Sequence, residues 1–246
     1  DSLPLEWVVL DGRDDGDRAW VDTQSRFDDA VKAVVSKPPI HNERLHLGAA
    51  IVLTLVRTDA TSGDELAGLR IVIEAHRVAT VCYGSDAIVE EALERQARGS
   101  APAGIARVLA LLVTALIKPL EPEITRLSDR IDALEDAAMN ERDDDLGDQV
   151  VLLGRQVLSL RRYLVPMHDE LSFLALNPDE LPGNADPRNL RRAAESLARL
   201  VSSLNSSHNR VQLILSQLKS HVESRQSRSM HKLSLVATVF LPLGFI

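Results

Sequence analysis

The groups in this 246-residue sequence most able to do chemistry are its seven histidines and 36 carboxylates. Zinc chemistry would need imidazole, thiolate and carboxylate ligands at fixed spacing. The histidines, at 41, 46, 76, 168, 208, 221 and 231, fall into no HExxH or H-x3-H pattern, and no CxxC is present. His168-Asp169-Glu170 is the densest run of ligand types. Neighbouring residues on a helix point in different directions, so His168 and Asp169 are either metal ligands or part of a solvated face. The carboxylates Glu121, Glu123, Asp129, Asp132, Glu135 and Asp136 crowd one stretch. They either draw cations towards a surface or form an ordinary solvated face. No P-loop, G-x-G-x-x-G or G-x-S-x-G occurs, so the sequence implies neither an enzyme nor an ATP-driven pump, and no cofactor.

Elements must position these groups, and the composition narrows which. Hydrophobic residues are 45% and aromatics only 3% of the chain, as suits a core of packed helices. The net charge of −8 argues against nucleic acid, whose binders carry basic stripes. A single cysteine, Cys82, cannot form an internal disulfide.

The first hundred residues predict a small α/β domain. Strands are expected at Glu6–Leu10, Ala19–Asp22, Leu47–Val56, Leu69–Glu74 and Val78–Tyr83, from their period-two and short apolar runs. Helices are expected at Gln24–Val35, stopped by Pro38-Pro39, and at Asp86–Arg98, followed by Gly99-Ser100. After Pro102 the pattern is helical throughout. Gly104–Asn140 carries Pro119 and Pro122, which predict a kink or break. The acidic run Glu141–Asp145 predicts a loop, and Leu146–Leu176 a second helix. Three prolines and a glycine between Asn177 and Pro187 predict a break.

The last stretch has no glycine or proline between Pro187 and Pro242. A heptad seam runs Leu197, Val201, Leu204, His208, Val211, Leu215, Leu218 and Val222. A helix from Asn189 to Ile246 would be roughly 85 Å long, so it is expected to project and to need partner helices. His208, within the seam, would either ring a symmetry axis as a zinc or proton site or fix helix register. Lys219, Arg225, Arg228 and Lys232 precede an uncharged run, Leu233–Ile246. A basic collar before such a run predicts a membrane entry on the cytoplasmic side, with the chain stopping partway into a transmembrane helix.

These residues carry a resemblance. Met230–Leu235 running into Phe240-Leu241-Pro242-Leu243-Gly244-Phe245-Ile246 resembles the start of the first membrane helix in the CorA superfamily of metal-ion transporters. The FLPLGF string is more similar to the ZntB zinc-transporter branch than to the magnesium channels. Leu160-Arg161-Arg162-Tyr163-Leu164 with Pro166 and Glu170, Ile131-Asp132-Ala133-Leu134-Glu135, and Lys37-Pro38-Pro39 resemble further strings of that branch. The match is dense after Ala103 and looser before it.

The resemblance implies an α+β fold: an N-terminal α/β/α domain with a mixed sheet, then long stalk helices forming a CorA-like funnel. The expected parts are an α/β portion at 1–102, a helical portion packing on the stalk at 103–187, the stalk at 188–232 and the start of the first transmembrane helix at 233–246. It further implies a homopentamer with Ser227, Met230, Leu233, Leu241 and Gly244 facing the axis, Met230 and Leu233 at a hydrophobic constriction. Ser227 and Gly244 depart from the asparagine and threonine of the magnesium channels. Arg191-Arg192 stand where those channels keep magnesium-sensing aspartates. The resulting expectation is the cytoplasmic part of a plasma- or inner-membrane transporter of divalent ions, with zinc the cargo and a proton gradient the drive. A magnesium channel of the same superfamily and a soluble coiled-coil scaffold are the alternatives.

Overall fold

A computed structural model of the chain describes residues 5–23, 25–58, 66–84, 90, 94, 104–139, 146–182 and 186–243. Two compact units emerge, one of residues 1–125 and 158–205, the other of residues 126–157 and 206–246.

The first unit is organised by a five-stranded sheet. Its strands are β1 (Glu6–Asp11), β2 (Glu43–Leu47), β3 (Ala50–Thr58), β4 (Leu66–Ile73) and β5 (Arg77–Tyr83). The order is β1-β5-β4-β3-β2; β1 runs parallel to β5 and every other pair is antiparallel. The sheet is therefore mixed, as expected. Central strands rich in Val, Leu and Ile are buried on both sides, which requires cover on both faces. On one face Val52, Val72, Ala79 and Val81 pack with Val21 of α1 (Asp15–Thr23), Val31 and Val35 of α2 (Asp29–Val35) and Phe27 of the link between the two helices. On the other face Leu53, Leu55, Leu69, Ile71 and Ile73 are fully buried. Four further helices follow along the chain: α3 (Ile105–Ile117), α4 (Leu120–Met139), α5 (Leu146–Leu176) and α6 (Arg188–Leu243). Of these, α3 is apolar almost all round and buried accordingly. Edge strand β2 is tied to α5 by Arg44 Nε, 3.0 Å from Glu170 Oε2, and the residue before it, Asn42, donates from Nδ2 to the Tyr163 carbonyl at 2.6 Å.

Local chemistry explains where the elements depart from expectation. Ala19–Asp22 is not a strand but the end of α1. The Asp17 amide donates to Asp14 Oδ2 at 2.9 Å, and Asp15 and Asp17 sit in the first turn, where the helix dipole favours acid. Leu47–Val56 is not one strand, because Gly48 at φ +61° turns the chain between Leu47 and Ala50 and makes a β2–β3 hairpin. The first helix is shorter than Gln24–Val35 and starts after Asp28. The break anticipated near Pro119 falls between α3 and α4, whereas Pro122 is tolerated in the first turn of α4. The helix expected at Asp86–Arg98 lies outside the described residues but for Glu90 and Glu94.

Candidate functional site

The candidate site lies on α6 in the second unit, and three helical segments hold it. Ile131 and Ala138 of α4, Val150, Leu153 and Val157 of α5, and Val211 and Ile214 of α6 form a buried core. Gly154 lets α6 approach closely: a Cβ built there would lie 3.0 Å from Val211 Cγ1. Arg210 of α6 reaches back to α4, its Nε 2.9 Å from Glu135 Oε2, with Asp132 as a second partner. The hydrogen bond to Glu135, more than the charge of either acid, raises the pKa of Arg210. Part of the acidic crowding on α4 is thus an ion-pair anchor for α6.

Along α6 the burial changes abruptly. The heptad seam is buried at Leu197, Val201 and Leu204 in the first unit and at Val211 in the second. Ser207 and Ile214 are buried where the heptads favoured His208 and Leu215, which are half-buried. Beyond Leu218 the stripe is uncovered: Val222, Met230 and Leu233 are 63%, 64% and 65% exposed. Ser227 is exposed as well. Leu241 belongs to α6, though its side chain is not among those described, and Gly244 lies outside the described residues. At 3.6 residues per turn, positions 227, 230, 233, 241 and 244 share an arc of about 120° of an α-helix. Among the described residues no helix is long and apolar enough to cross a membrane.

A second stripe escaped the sequence reading. Ser206, Asn209, Ser216, Ser220, Ser224 and Ser227 are all exposed on one side of α6. Their signal was a repeat of small, uncharged polar residues at helical spacing, which a search for apolar heptads passes over. In the basic collar, Lys219 Nζ lies 3.9 Å from Glu223 Oε1 and Arg228 is exposed. His221 is half-buried and His231 exposed.

The metal-ligand candidates do not converge. His168 Nδ1 is 3.2 Å from Asp169 Oδ1, and its Nε2 is 3.2 Å from Ser172 Oγ, so both ring nitrogens already have neighbours. Asp169 is largely exposed. His208 is half-buried, and its buried Nδ1 has no hydrogen-bond partner. Among the described residues no three His, Cys, Asp or Glu side chains gather as a metal site.

A mixed sheet carried by long helices, ending in a helix with an uncovered face, defines a class that sequence comparison makes explicit. The chain belongs to the CorA-like Mg2+ transporter protein family, whose profile matches residues 4–246. Its relatives are ion transporters, not enzymes. Among them, the zinc transport protein ZntB of Yersinia enterocolitica is 25% identical over 244 residues, covering 98% of this chain and 74% of the relative. The divalent cation transporter CmaX of Pseudomonas aeruginosa is 24% identical over 253 residues, covering 100% and 76%. The full-length CmaX structure superposes with a TM-score of 0.80 at 23% identity, covering 100% of this chain and 77% of that one. The ZntB cytoplasmic domain of Vibrio parahaemolyticus gives 0.69 at 16% identity, covering 91% and 90%. The CorA magnesium transporter of Methanocaldococcus jannaschii gives 0.75 at 14% identity, covering 98% and 78%.

Proposed function

We propose that this chain forms the cytoplasmic funnel of a zinc transporter assembled from five copies and driven by a proton gradient. The observation that carries the reading is the uncovered stripe of α6, Val222 to Leu233. A helix face that is buried up to Ile214 and then presents Val222, Met230 and Leu233 to solvent needs further helices to cover it. Copies of α6 around an axis would supply them. Met230 and Leu233 would then ring the conduit as an apolar constriction that closes by dewetting, with Ser227, Leu241 and Gly244 lining it on either side. The serine hydroxyls and the Asn209 amide of the stripe from Ser206 to Ser227 would face a hydrated cation without holding it tightly. The basic collar and the apolar run from Leu233 suit the cytoplasmic edge of a membrane.

Zinc as cargo is supported by the likeness to ZntB in sequence and by the FLPLGF string. A magnesium channel is the competing reading. Arg191 and Arg192 speak against magnesium sensing of that kind at this level of α6, since paired cations repel a divalent ion.

Cysteine substitution tests the lining. Ser227→Cys, Met230→Cys and Leu233→Cys are each made in the whole protein, with buried Cys82 left in place. A charged thiol reagent added from the cytoplasmic side is expected to block ion flux through all three variants and spare the parent. Flux that continues after complete modification at all three positions would remove α6 from the conduit.

A further inference from the structure

Helix α3 is buried everywhere except along one stripe, Arg107, Leu111 and Thr114. That stripe, with Ala110, forms one wall of a groove of about 500 Å³ in the first unit; Asn189, Arg192, Ala193 and Ser196 of α6 form the other. The volume falls within the range of small-molecule sites.

The lining has an unusual charge for this protein. Although the chain carries 36 acidic residues, no carboxylate appears among the described residues that line the groove. Elsewhere in the same unit Arg44, Arg70, Arg77 and Arg188 each hold an acidic partner. Arg107 and Arg192 have no side-chain partner among the described residues. Two guanidinium groups therefore face one concavity, neither held by a carboxylate of the described residues. Beside them stand the Asn189 amide and the Ser196 hydroxyl, whose oxygen accepts from Arg199 Nη2 at 2.8 Å and whose proton is left to donate, whereas Thr114 Oγ1 donates to the Ala110 carbonyl at 2.6 Å. Guanidinium forks match phosphate oxygens in geometry and charge, and hydroxyl or amide donors complete such a shell. Leu111, Ala110 and Ala193 leave an apolar floor against which an organic group can rest.

We infer that this groove binds a phosphorylated small molecule, its phosphate on Arg107 and Arg192 and its organic part on Leu111 and the two alanines. The site is separate from the transport path proposed above and does not depend on it. It also excludes the cargo, because the same two charges repel a divalent cation.

The test is calorimetric titration of the purified chain with AMP, and in parallel with inorganic phosphate. Saturable AMP binding is expected, tighter than phosphate and weakened by salt. Arg107→Gln and Arg192→Gln are each expected to weaken it about tenfold or more, as loss of a charge-assisted hydrogen bond does. Ser196→Asp keeps both arginines but places a carboxylate in the groove, and should abolish binding. Arg155→Gln, on exposed α5 surface outside the groove, should leave binding unchanged, and circular dichroism checks that each variant is folded. Absence of saturable AMP binding would overturn the inference. So would binding indifferent to the groove variants, or AMP bound no more tightly than phosphate.

Discussion

Arg70 shows how a single side chain organises the sheet around it. It is only 6% exposed, yet its Nε donates to the Lys37 carbonyl at 3.1 Å and its Nη1 to Thr54 Oγ1 at 3.2 Å, with Glu43 Oε1 at 3.5 Å. Those contacts tie β4 to the segment after α2, the segment whose Pro38-Pro39 the sequence marks as a helix stop. Pro39 does more than stop a helix: a Cβ at Gly68 would lie 2.2 Å from its Cγ. Gly68→Ala is therefore expected to destabilise the protein by about 1–3 kcal/mol, as overpacking does, read as a lower urea midpoint with an unchanged slope. Nearby, the Tyr83 hydroxyl donates to the Val35 carbonyl, and burial raises its pKa against the opposing pull of Arg70 and Arg18. The phenol is thus harder to ionise folded than unfolded. Its contribution to stability is complete below the ordinary phenol value of about 10 and is lost as pH rises through the higher folded value. In a Tyr163→Phe background, absorbance at 295 nm should show Tyr83 ionising later than free tyrosine; ionisation at the free value would contradict the burial account. None of these contacts was legible in the sequence. Glycine and proline announce turns, but which ring a glycine must accommodate depends on strands brought together from distant positions.

At the scale of the element, the long helices were the most legible part of the chain. Expected bounds for α5 coincide with those found, Leu146–Leu176, because apolar periodicity runs unbroken between a run of acidic residues and a proline-rich stretch. Strands were legible where both faces are apolar, as in β4 and β5, and misjudged where a short apolar run belonged to a helix, as in α1. The heptad seam of α6 was legible in period but not in phase. Burial shifts to Ser207 and Ile214 because the partners are helices of the same chain, which need not hold a strict seven-residue repeat. That packing makes a prediction at Gly154 of α5, which faces Val211 of α6. Gly154→Leu must displace Val211, whose branched side chain has few rotamers to escape into. The variant is expected to lose at least about 1–3 kcal/mol, measured by thermal or urea unfolding. Unchanged stability would mean that the two helices do not pack through this glycine.

For the molecule as a whole, one string of residues near the end of the chain was enough to place it in its family. Lys219–Ile246 combines a basic collar with an uncharged apolar run that holds the FLPLGF string, and membership follows from the match over residues 4–246. Fold class was legible by the same route. The candidate site was legible only in part: the apolar face of α6 was visible as periodicity, whereas its serine stripe and the arginine groove were not. Arg107 and Arg192 are far apart in sequence and share no motif, so only folding brings them to one concavity. Oligomeric state, cargo and driving force are properties of an assembly in its membrane, which no motif of a single chain encodes. The most direct test is ion flux into liposomes reconstituted with the whole protein, comparing zinc with magnesium, with and without a pH gradient. Zinc flux that rises with the gradient is the predicted result. Magnesium flux indifferent to pH, with zinc not carried, would contradict it and make the protein a channel of the other branch.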